Sequence, residues 1–367
     1  MNFGNTIEPW HDRESGIFQQ VIMSFLFPPL FVDLARLRSE LAATQRKAFA
    51  EGTFRNLITQ CKAYIYFAHY YSLPAFPATL AQLALFAQFL SRTFKTVSAI
   101  QNCVSGVRPA HILLGLTPPD LTHPTLKLYV RGLQRLKPGI VNRAHPLTPQ
   151  MLSHMANRVD PGNPRQWATW TAMLIGFFTF ARRSNLVPRS SVSFDPAKQL
   201  QRADIITSPS KLAVIFKWSK TIQHMQRILV IPVVALPKCS FCPVAAYQHL
   251  ITLVPAKPSD PAFCVRKTRE SSKSNVQAIS QSNLQEMIKF LAADIGLDPV
   301  NYSSHSLRRG GASWAYRAGC SSEQIKLQGD WKSDCFSIYI DSSFEDRTVV
   351  SQKMARAILQ DELPGPR

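Results

Sequence analysis

Acidic residues are scarce in this sequence. Its 367 residues include 23 Asp and Glu against 42 Lys and Arg, which leaves a formal charge of +19 at pH 7. The imbalance is uneven, because the stretch from Gly52 to Val159 holds eleven Lys and Arg and one acid, Asp120. Such an excess favours a polyanionic partner, most often a nucleic acid. A surface built only for solubility would mix the two signs.

The sequence also lacks an apolar run long enough to cross a membrane, which needs about 20 residues. The nearest candidate runs from Trp167 to Ala181, and its fifteen uncharged residues predict a buried helix instead. We therefore expect no membrane partner. Apolar residues still make up 46% of the chain, which is enough for packed cores and excludes a disordered protein. The length favours two domains.

Cysteines form no recognisable framework. The seven are odd in number and scattered, and no basic segment precedes an apolar one at the start, as a secretory signal requires. We therefore expect a reduced intracellular compartment, and the nucleus if the host is eukaryotic. Cys239 and Cys242 have the spacing of a zinc site, and His249 could be a third ligand. No second Cys/His pair completes four ligands, so we expect no metal.

The pattern is helical from Asp33 to Leu136, after an N-terminal segment (1–32) of uncertain structure. Helices are predicted to begin at Asp33, after a Thr53 cap, after a Thr79 cap and at Thr93. The last helix, Thr125–Lys137, combines two faces. Its apolar face is Leu126, Tyr129, Val130, Leu133 and Leu136. Its other face, the basic ridge, is Lys127, Arg131 and Arg135, at i, i+4 and i+8.

The basic ridge has two readings. An ordinary solvated helix face is one, and contact with nucleic-acid phosphates is the other. The near absence of acids around it favours phosphate contact, so we predict that Lys127, Arg131 and Arg135 bind nucleic-acid phosphates. This helical domain is expected to span 33–140, with a linker at 141–146.

A second domain is predicted over 147–360. Its first helix is capped by Thr148, with Pro149 at the first helical position. A nearly all-apolar helix then ends in Arg182-Arg183. Alternation over Leu212–Trp218 and the run Ile228–Val234 predict a hairpin, with Lys220 at the start of its connection.

The remainder of this domain is predicted to be mostly helical. The basic stretch Val265–Ser274 is read as a mobile loop in which Arg266 and Lys267 are expected to contact nucleic acid. Helices are predicted at Ser282–Leu297, after Ser303 and over Phe344–Gln360. The predicted fold is therefore mainly α with a small antiparallel sheet, in a helical N-terminal domain followed by an α+β domain.

Three reactive side chains lie near the C-terminal end. If the segment after Ser303 is helical, His305 and Arg308 share one face at i and i+3. Tyr339 follows a second short helix that Gly329 would end. An imidazole, a guanidinium and a phenol brought together can attack and stabilise a phosphodiester.

The ordered set Arg182, Lys220, His305-x-x-Arg308 and Tyr339 resembles the tyrosine recombinase/integrase family, over roughly 35–355. The phrases Lys-Trp-Ser-Lys-Thr-Ile-Gln (217–223) and Gly-Asp-Trp-Lys-Ser-Asp (329–334) look most like recombinases of eukaryotic DIRS-type and Crypton mobile elements. The resemblance implies a core-binding domain and a catalytic domain that clamp double-stranded DNA. It also implies a homo-oligomer, with four protomers in the synaptic complex and a monomer as one option for the free protein.

The resemblance also implies a mechanism. Tyr339 would attack a phosphodiester and leave a 3′-phosphotyrosine and a free 5′-hydroxyl, which conserves the bond energy and requires no cofactor. Arg182 and Arg308 would present planar forks to the non-bridging oxygens. His305 would handle the proton or donate to the phosphate, and Lys220 would protonate the departing 5′ oxygen.

Several positions have competitors. Arg183 competes with Arg182, and Lys217 competes with Lys220; register favours Arg182 and Lys220. Arg309 is read as a DNA-backbone contact or a surface residue.

Two positions depart from the family pattern. Asn185 stands where many members carry an acid. Asp330 occupies the place nine residues before Tyr339, where the family has His or Trp, and Trp331 follows it. An acid there would repel the phosphate, so we favour Trp331 in that role, through its indole N–H and its packing.

The predicted function is site-specific DNA recombination, of mobile-element origin. One alternative is a catalytically inactive DNA-binding protein descended from a recombinase. Another is a type IB topoisomerase. The helix predicted after Tyr339 is suited to docking on a neighbouring protomer, and it therefore favours recombination over this alternative. An RNA-binding protein would need a stacking motif that the sequence does not contain.

Overall fold

The structure is a computed structural model. It describes residues 31–137, 143–219, 222, 227–267, 275–340, 348, 351, 352 and 355. The chain divides into two compact units, Met1–Val141 and Asn142–Arg367, which we call the N-terminal and C-terminal units. The division falls at the start of the predicted linker. Residues 1–30 of the N-terminal segment, Lys220 and most of the predicted helix after Phe344 lie outside the described residues.

The described part of the N-terminal unit is helical. Its elements are α1 (Phe31–Lys47), α2 (Glu51–Tyr70), α3 (Leu80–Ser91), α4 (Val97–Ser105), α5 (Val107–Leu113) and α6 (Pro124–Leu136). Aromatic and aliphatic side chains of α2, α3 and α4, among them Tyr64, Leu83, Phe86 and Ile100, form its buried core.

Helix starts in this unit follow the capping residues in most cases. Thr79 caps α3 and forms a reciprocal capping box with Gln82. The predicted Thr53 cap is wrong, because α2 already begins at Glu51 and Thr53 lies inside its first turn. The helix predicted from Thr93 begins instead at Val97, where Thr96 is the cap. Helix α5, which the pattern did not predict, follows Gly106 directly.

The C-terminal unit is mixed. Its helices are α7 (Pro149–Ala156), α8 (Pro164–Phe178), α9 (Arg183–Leu186), α10 (Pro243–Leu253), α11 (Gln281–Asp294), α12 (Ser304–Arg317) and α13 (Ser322–Gly329). Its strands are β1 (Ile205–Thr207), β2 (Lys211–Phe216), β3 (Leu229–Val234), β4 (Cys264–Arg266) and β5 (Val276–Ala278). Short 3₁₀ turns cover Arg202–Asp204, Pro299–Asn301 and Asp334–Tyr339.

Two small antiparallel sheets accompany these helices. The first has the order β1-β2-β3, with Val214 opposite Ile231, and the second pairs β4 with β5. The alternation of β2 buries Leu212, Val214 and Phe216, as the pattern predicts. The loop predicted from Val265 is wrong at its start, because Val265 and Arg266 belong to β4. The predicted class, mainly α with a small antiparallel sheet, is confirmed.

Helix α12 approaches the backbone of its neighbours closely. A Cβ atom on Gly310 would lie 2.0 Å from the Leu147 carbonyl oxygen, and one on Gly311 would lie 2.1 Å from that of Phe177. The two glycines therefore allow α12 to pack against the end of α8 and the chain before α7. This packing places the start of α12 beside the Arg182-Arg183 turn. In the described part of the chain, no helix combines the length and hydropathy that a membrane crossing needs.

Candidate active site

The start of α12 carries His305 and Arg308. Ser303 caps the helix, since its hydroxyl accepts a hydrogen bond from the His305 N–H at 3.2 Å, and its own N–H donates to Ser306 Oγ at 3.0 Å. The His305 side chain stays in contact with solvent. Partial loss of hydration lowers its pKa, and the positive charges of Arg183, Arg308 and Arg182 lower it further. The neutral ring, able to accept a proton, is therefore the dominant form at neutral pH.

Arg308 is buried, with 2% of its surface exposed. One guanidinium nitrogen, Nη1, donates to the carbonyl of Phe180, and Nη2 donates to the carbonyl of Gly329 at 2.8 Å. The Gly329 carbonyl belongs to the last residue of α13, where a helix leaves unpaired acceptors and a partial negative charge, and Phe180 lies two residues beyond the end of α8. Phe180 has a left-handed backbone (φ 49°), as a residue just after a helix end often has. Two helix ends thus hold the guanidinium in place.

Two aromatic rings flank the same guanidinium. The Cζ atom of Arg308 lies 3.8 Å from the ring centroid of Trp331 and 5.3 Å from that of Tyr339. Burial lowers the pKa of Arg308 to about 10, and the charge of Arg182 adds to this, whereas Tyr339 and Asp330 oppose it. Arg308 therefore keeps its charge at neutral pH and is directed toward the tyrosine predicted as nucleophile.

Trp331 and Asp330 point to different surroundings. The Trp331 ring packs on Phe180, Phe336 and Tyr339, with centroid distances of 6.1, 6.3 and 5.4 Å. A Cβ atom on Gly329 would lie 1.8 Å from this ring, so only glycine fits at the end of α13. It is Trp331, therefore, that packs against Arg308 and Tyr339.

Asp330 is buried and contacts two residues of the chain between β2 and β3. It has a left-handed backbone (φ 52°), and its Oδ2 accepts a hydrogen bond from Ser219 Oγ at 2.9 Å. Its Oδ1 forms an ion pair with Arg227 Nη2. Arg227 thus offsets the negative charge of Asp330. The sequence analysis missed both Ser219 and Arg227, because their partner lies more than a hundred residues away, at separations of 111 and 103.

Tyr339 ends the 3₁₀ turn Asp334–Tyr339 and is half-buried. Its carbonyl accepts a hydrogen bond from Ser313 Oγ at 3.2 Å. The carbonyl of the preceding residue, Ile338, accepts from Arg309 Nη1 at 3.1 Å and from Arg143 Nη1 at 3.2 Å. Hydrogen bonds from α12 and from the chain before α7 therefore fix the backbone at the tyrosine.

Arg309 does not have the surface position that the sequence predicts. Only 8% of it is exposed, because the residue lies on the inner side of α12 and donates to the Ile338 carbonyl. A guanidinium so placed supports the tyrosine segment.

The Arg182-Arg183 pair separates into a half-buried and an exposed residue. Arg182 precedes α9 and lines a small cavity with Arg308 and Asp330, whereas Arg183 opens into solvent. Asn185, from the same turn, is 3% exposed, and its Nδ2 donates to the carbonyl of Trp218. A carboxylate at this position could not donate that hydrogen bond.

Of the two candidate lysines, Lys217 lies within the described residues and Lys220 does not. Lys217 Nζ forms an ion pair with Asp204 Oδ1 at 2.7 Å and donates to Gln201 Oε1 at 2.9 Å. These contacts occupy its ammonium group. Lys220, the favoured candidate, lies outside the described residues.

The basic ridge is exposed along α6. Lys127, Arg131 and Arg135 face solvent, while Leu126 and Leu133 are buried beneath them. Leu136 was assigned to the apolar face, but 79% of it is exposed, because it lies in the last turn beyond the core. In the C-terminal unit, Arg266 is exposed at the end of β4, and the Lys267 N–H bonds the Asn275 carbonyl at 2.9 Å.

The cysteine pair is part of a tight turn. The Cys242 N–H donates to the Cys239 carbonyl at 3.2 Å, and its sulfur accepts from the Leu236 N–H at 3.2 Å. His249 contacts the Pro161 carbonyl at 3.0 Å and the Trp167 ring. Among the described residues, no three His, Cys, Asp or Glu side chains converge as a metal site would require.

Comparison with known proteins gives the fold. No protein-family model and no curated protein matches the chain. The chain is similar to a crystal structure of the XerH site-specific recombinase bound to palindromic difH substrate, in a post-cleavage complex. The match covers 86% of this chain and 83% of the XerH chain, with 12% sequence identity and a TM-score of 0.52. A lambda integrase(75-356) dimer bound to a COC′ core site is similar over 87% and 96%, with 18% identity and a TM-score of 0.51. The chain therefore has the fold of site-specific recombinases and integrases of the tyrosine class.

Proposed function

We propose that this protein is a site-specific DNA recombinase that cleaves and rejoins strands through a 3′-phosphotyrosine. The observation that carries the proposal is the placement of Arg308, whose buried guanidinium is held by two helix ends and flanked by Tyr339 and Trp331. The charge of Arg182 is close enough to lower the pKa of Arg308, and the charge of Arg308 is close enough to lower the pKa of His305. A cluster of this kind suits a tetrahedral or pentacoordinate phosphate beside a phenol.

The chemistry then follows from the side chains. The Tyr339 oxygen forms a bond to phosphorus while the bond from phosphorus to the 5′ oxygen breaks. Arg308 and Arg182 stabilise charge on the non-bridging oxygens, and fixed charges of this kind often supply the largest part of the rate enhancement. His305, neutral before DNA binds, accepts the phenol proton or hydrogen-bonds the phosphate, and Lys220 gives a proton to the departing oxygen.

Double-stranded DNA is the proposed partner, and a mobile element the proposed origin. The basic ridge and Arg266 supply exposed cations for phosphate contacts, and the two similar structures are themselves complexes with DNA. The phrases at 217–223 and 329–334 support placement among DIRS-type and Crypton recombinases. We further propose that four protomers assemble on two DNA sites.

A covalent adduct tests the proposal. The protein is incubated with nicked duplexes that carry candidate element termini, and adducts are resolved by denaturing electrophoresis. Wild type should form the adduct. The control variant Tyr316→Phe should form it too, because it removes the hydroxyl of a different tyrosine, which lies on α12 and is 41% exposed. Tyr339→Phe should bind the same DNA and form none, because it lacks the attacking oxygen.

The other outcomes separate the alternatives. If Tyr339→Phe forms the adduct as wild type does, the assigned nucleophile is wrong. DNA binding by wild type without any adduct would favour the inactive DNA-binding protein. An adduct with relaxation of supercoiled DNA, but without joining of two sites, would favour a type IB topoisomerase.

A further inference from the structure

Two adjacent arginines on helix α12 lead to the two reactants of the proposed cleavage. Arg308, assigned to the phosphate, has its Cζ atom 5.3 Å from the ring centroid of Tyr339. Arg309 donates from Nη1 to the carbonyl of Ile338, the residue before that tyrosine, at 3.1 Å. Consecutive residues of a helix point about 100° apart, because a turn takes 3.6 residues. One rigid helix therefore reaches both the phosphate site and the backbone of the nucleophile.

A second arginine bonds the same carbonyl from another part of the chain. Arg143 Nη1 donates to the Ile338 carbonyl at 3.2 Å. The segment that carries Arg143 is itself held against α12, because the Leu147 N–H donates to the Ser306 carbonyl at 3.1 Å. Both donors therefore belong to one frame, which consists of α12 and the segment packed on its start.

The carbonyls on the two sides of the tyrosine are the ones that need such donors. They lie at the end of the 3₁₀ turn Asp334–Tyr339, where a helical turn leaves its last acceptors without partners. The arginines bond the first carbonyl, and Ser313 Oγ bonds the second, that of Tyr339, at 3.2 Å. Burial of the Arg309 guanidinium, which is 8% exposed, is costly unless its donors are used. The peptide units on both sides of the Tyr339 Cα atom are thus held by side chains.

We infer that Arg309 and Arg143 are positioning residues for the attack by Tyr339. They hold the Ile338 carbonyl and thereby set the phenol at the distance from the phosphate that bond formation requires. They act through the backbone of the nucleophile, whereas Arg308 acts on the phosphate. The inference rests on the proposed function. A misplacement of about 1 Å at a reacting group can cost about 10²-fold in rate, which sets the effect to expect.

The test separates the position of the nucleophile from the rest of the site. Cleavage of a nicked duplex is measured in single-turnover mode in two ways. In the first, Tyr339 attacks and the adduct is measured. In the second, hydrogen peroxide attacks in a Tyr339→Phe background, and its oxygen bonds to phosphorus while the bond to the 5′ oxygen breaks. Peroxide needs the groups that bind the phosphate but not the placement of the tyrosine, so a positioning defect disappears when peroxide attacks.

The test variants remove the two donors separately and together. Arg309→Met introduces an unbranched side chain that cores tolerate and leaves the carbonyl paired with Arg143. We expect it to form the Tyr339 adduct about 10²-fold more slowly than wild type, to bind the duplex equally well, and to match its Tyr339→Phe parent with peroxide. Arg143→Ala should show a smaller loss of the same kind. The double variant should lose more than the product of the two single losses, because each arginine compensates for the other.

Two controls match these changes. Arg202→Met removes another buried arginine of the same unit, which donates to the carbonyl of Val254 at 3.0 Å. Arg158→Ala removes another exposed arginine, which pairs with Asp294 at 3.0 Å. Both controls should form the adduct as wild type does. The inference is overturned if Arg309→Met forms the adduct at the wild-type rate, loses as much with peroxide as with the tyrosine, or is slow only because it binds DNA more weakly.

A second measurement tests the contact without catalysis. Amide hydrogen exchange over 334–340 should be faster in Arg309→Met than in wild type or Arg202→Met, since one contact that holds this turn is lost. Unchanged exchange overturns the inference even if the wild type forms its adduct. If exchange changes as expected but wild type forms no adduct, the proposed function fails, and the assigned role in catalysis fails with it.

Discussion

At the scale of single residues, the site depends on how one buried arginine is held. Burying a cation is costly unless it has partners, and Arg308 donates to two backbone carbonyls and lies between two aromatic rings, while its buried Nε has no hydrogen-bond partner. Lysine could not reproduce this arrangement, because it has no planar fork and no delocalised face. The geometry therefore explains why arginine occupies this position.

The two arginines after α8 should differ in effect. Arg182→Ala should retain DNA binding but lose about 10²- to 10³-fold in adduct formation, because Arg182 lines the cavity beside Arg308 and faces the developing charge. Arg183→Ala, which removes an equal charge from an exposed neighbour, is the control and should change the adduct rate far less. Single-turnover rates decide between them, and a larger loss from Arg183→Ala would exchange the two roles.

Residue roles that depend on local spacing could be predicted from the sequence, and roles that depend on distant contacts could not. The i, i+3 pair His305 and Arg308 follows from one helix. Arg143, by contrast, contacts the carbonyl of Ile338, 195 residues away, and no sequence pattern joins the two. Arg309 was read as a DNA-backbone contact or a surface residue, whereas it is buried and donates to the carbonyl of Ile338, which is 29 residues away.

At the scale of elements, helix α12 depends on its glycine pair. Gly310→Ala would place a Cβ atom 2.0 Å from the Leu147 carbonyl oxygen, a backbone atom that cannot move aside alone. We expect it to lower the free energy of unfolding by about 1–3 kcal/mol, as overpacking usually does. Gly132→Ala, in α6 with open space around it, should instead raise it by about 0.5–1 kcal/mol.

Denaturant unfolding followed by circular dichroism measures both changes. If Gly310→Ala is as stable as wild type, the close approach of α12 is not required for folding. If Gly132→Ala also destabilises, the effect is one of replacing helical glycine in general, and the contact with Leu147 is not its cause.

Elements with strong local signals were predictable. Thr148 and Pro149 mark the start of α7, and the alternation at Leu212–Phe216 marks β2, as the structure has them. Strand β4 escaped because its three residues give too short a pattern and the polar stretch after it dominates the window. Gly329 is the last residue of α13, and the left-handed residue that follows it is Asp330. Glycine is needed at 329 because the Trp331 ring fills the space that a Cβ atom would take.

At the scale of the whole molecule, the charge is divided between two tasks. In the C-terminal unit, cations gather at one site around Tyr339, with acids such as Asp330 and Asp204 paired to neighbouring cations. In the N-terminal unit, the basic ridge faces solvent without acids on the same helix. The first arrangement suits chemistry on one phosphate, and the second suits affinity for many.

The salt dependence of DNA binding tests the second task. Each phosphate contact makes the slope of log K against log salt concentration about 0.9 more negative, so Arg131→Ala with Arg135→Ala should make the slope shallower by about 2. The control removes two charges from the same unit, Arg36→Ala with Arg55→Ala, since each of these arginines is already paired with a glutamate one turn away at 2.9 Å. The control should leave the slope nearly unchanged. If both double variants make the slope shallower by the same amount, the effect follows from net charge, and the ridge is an ordinary solvated face.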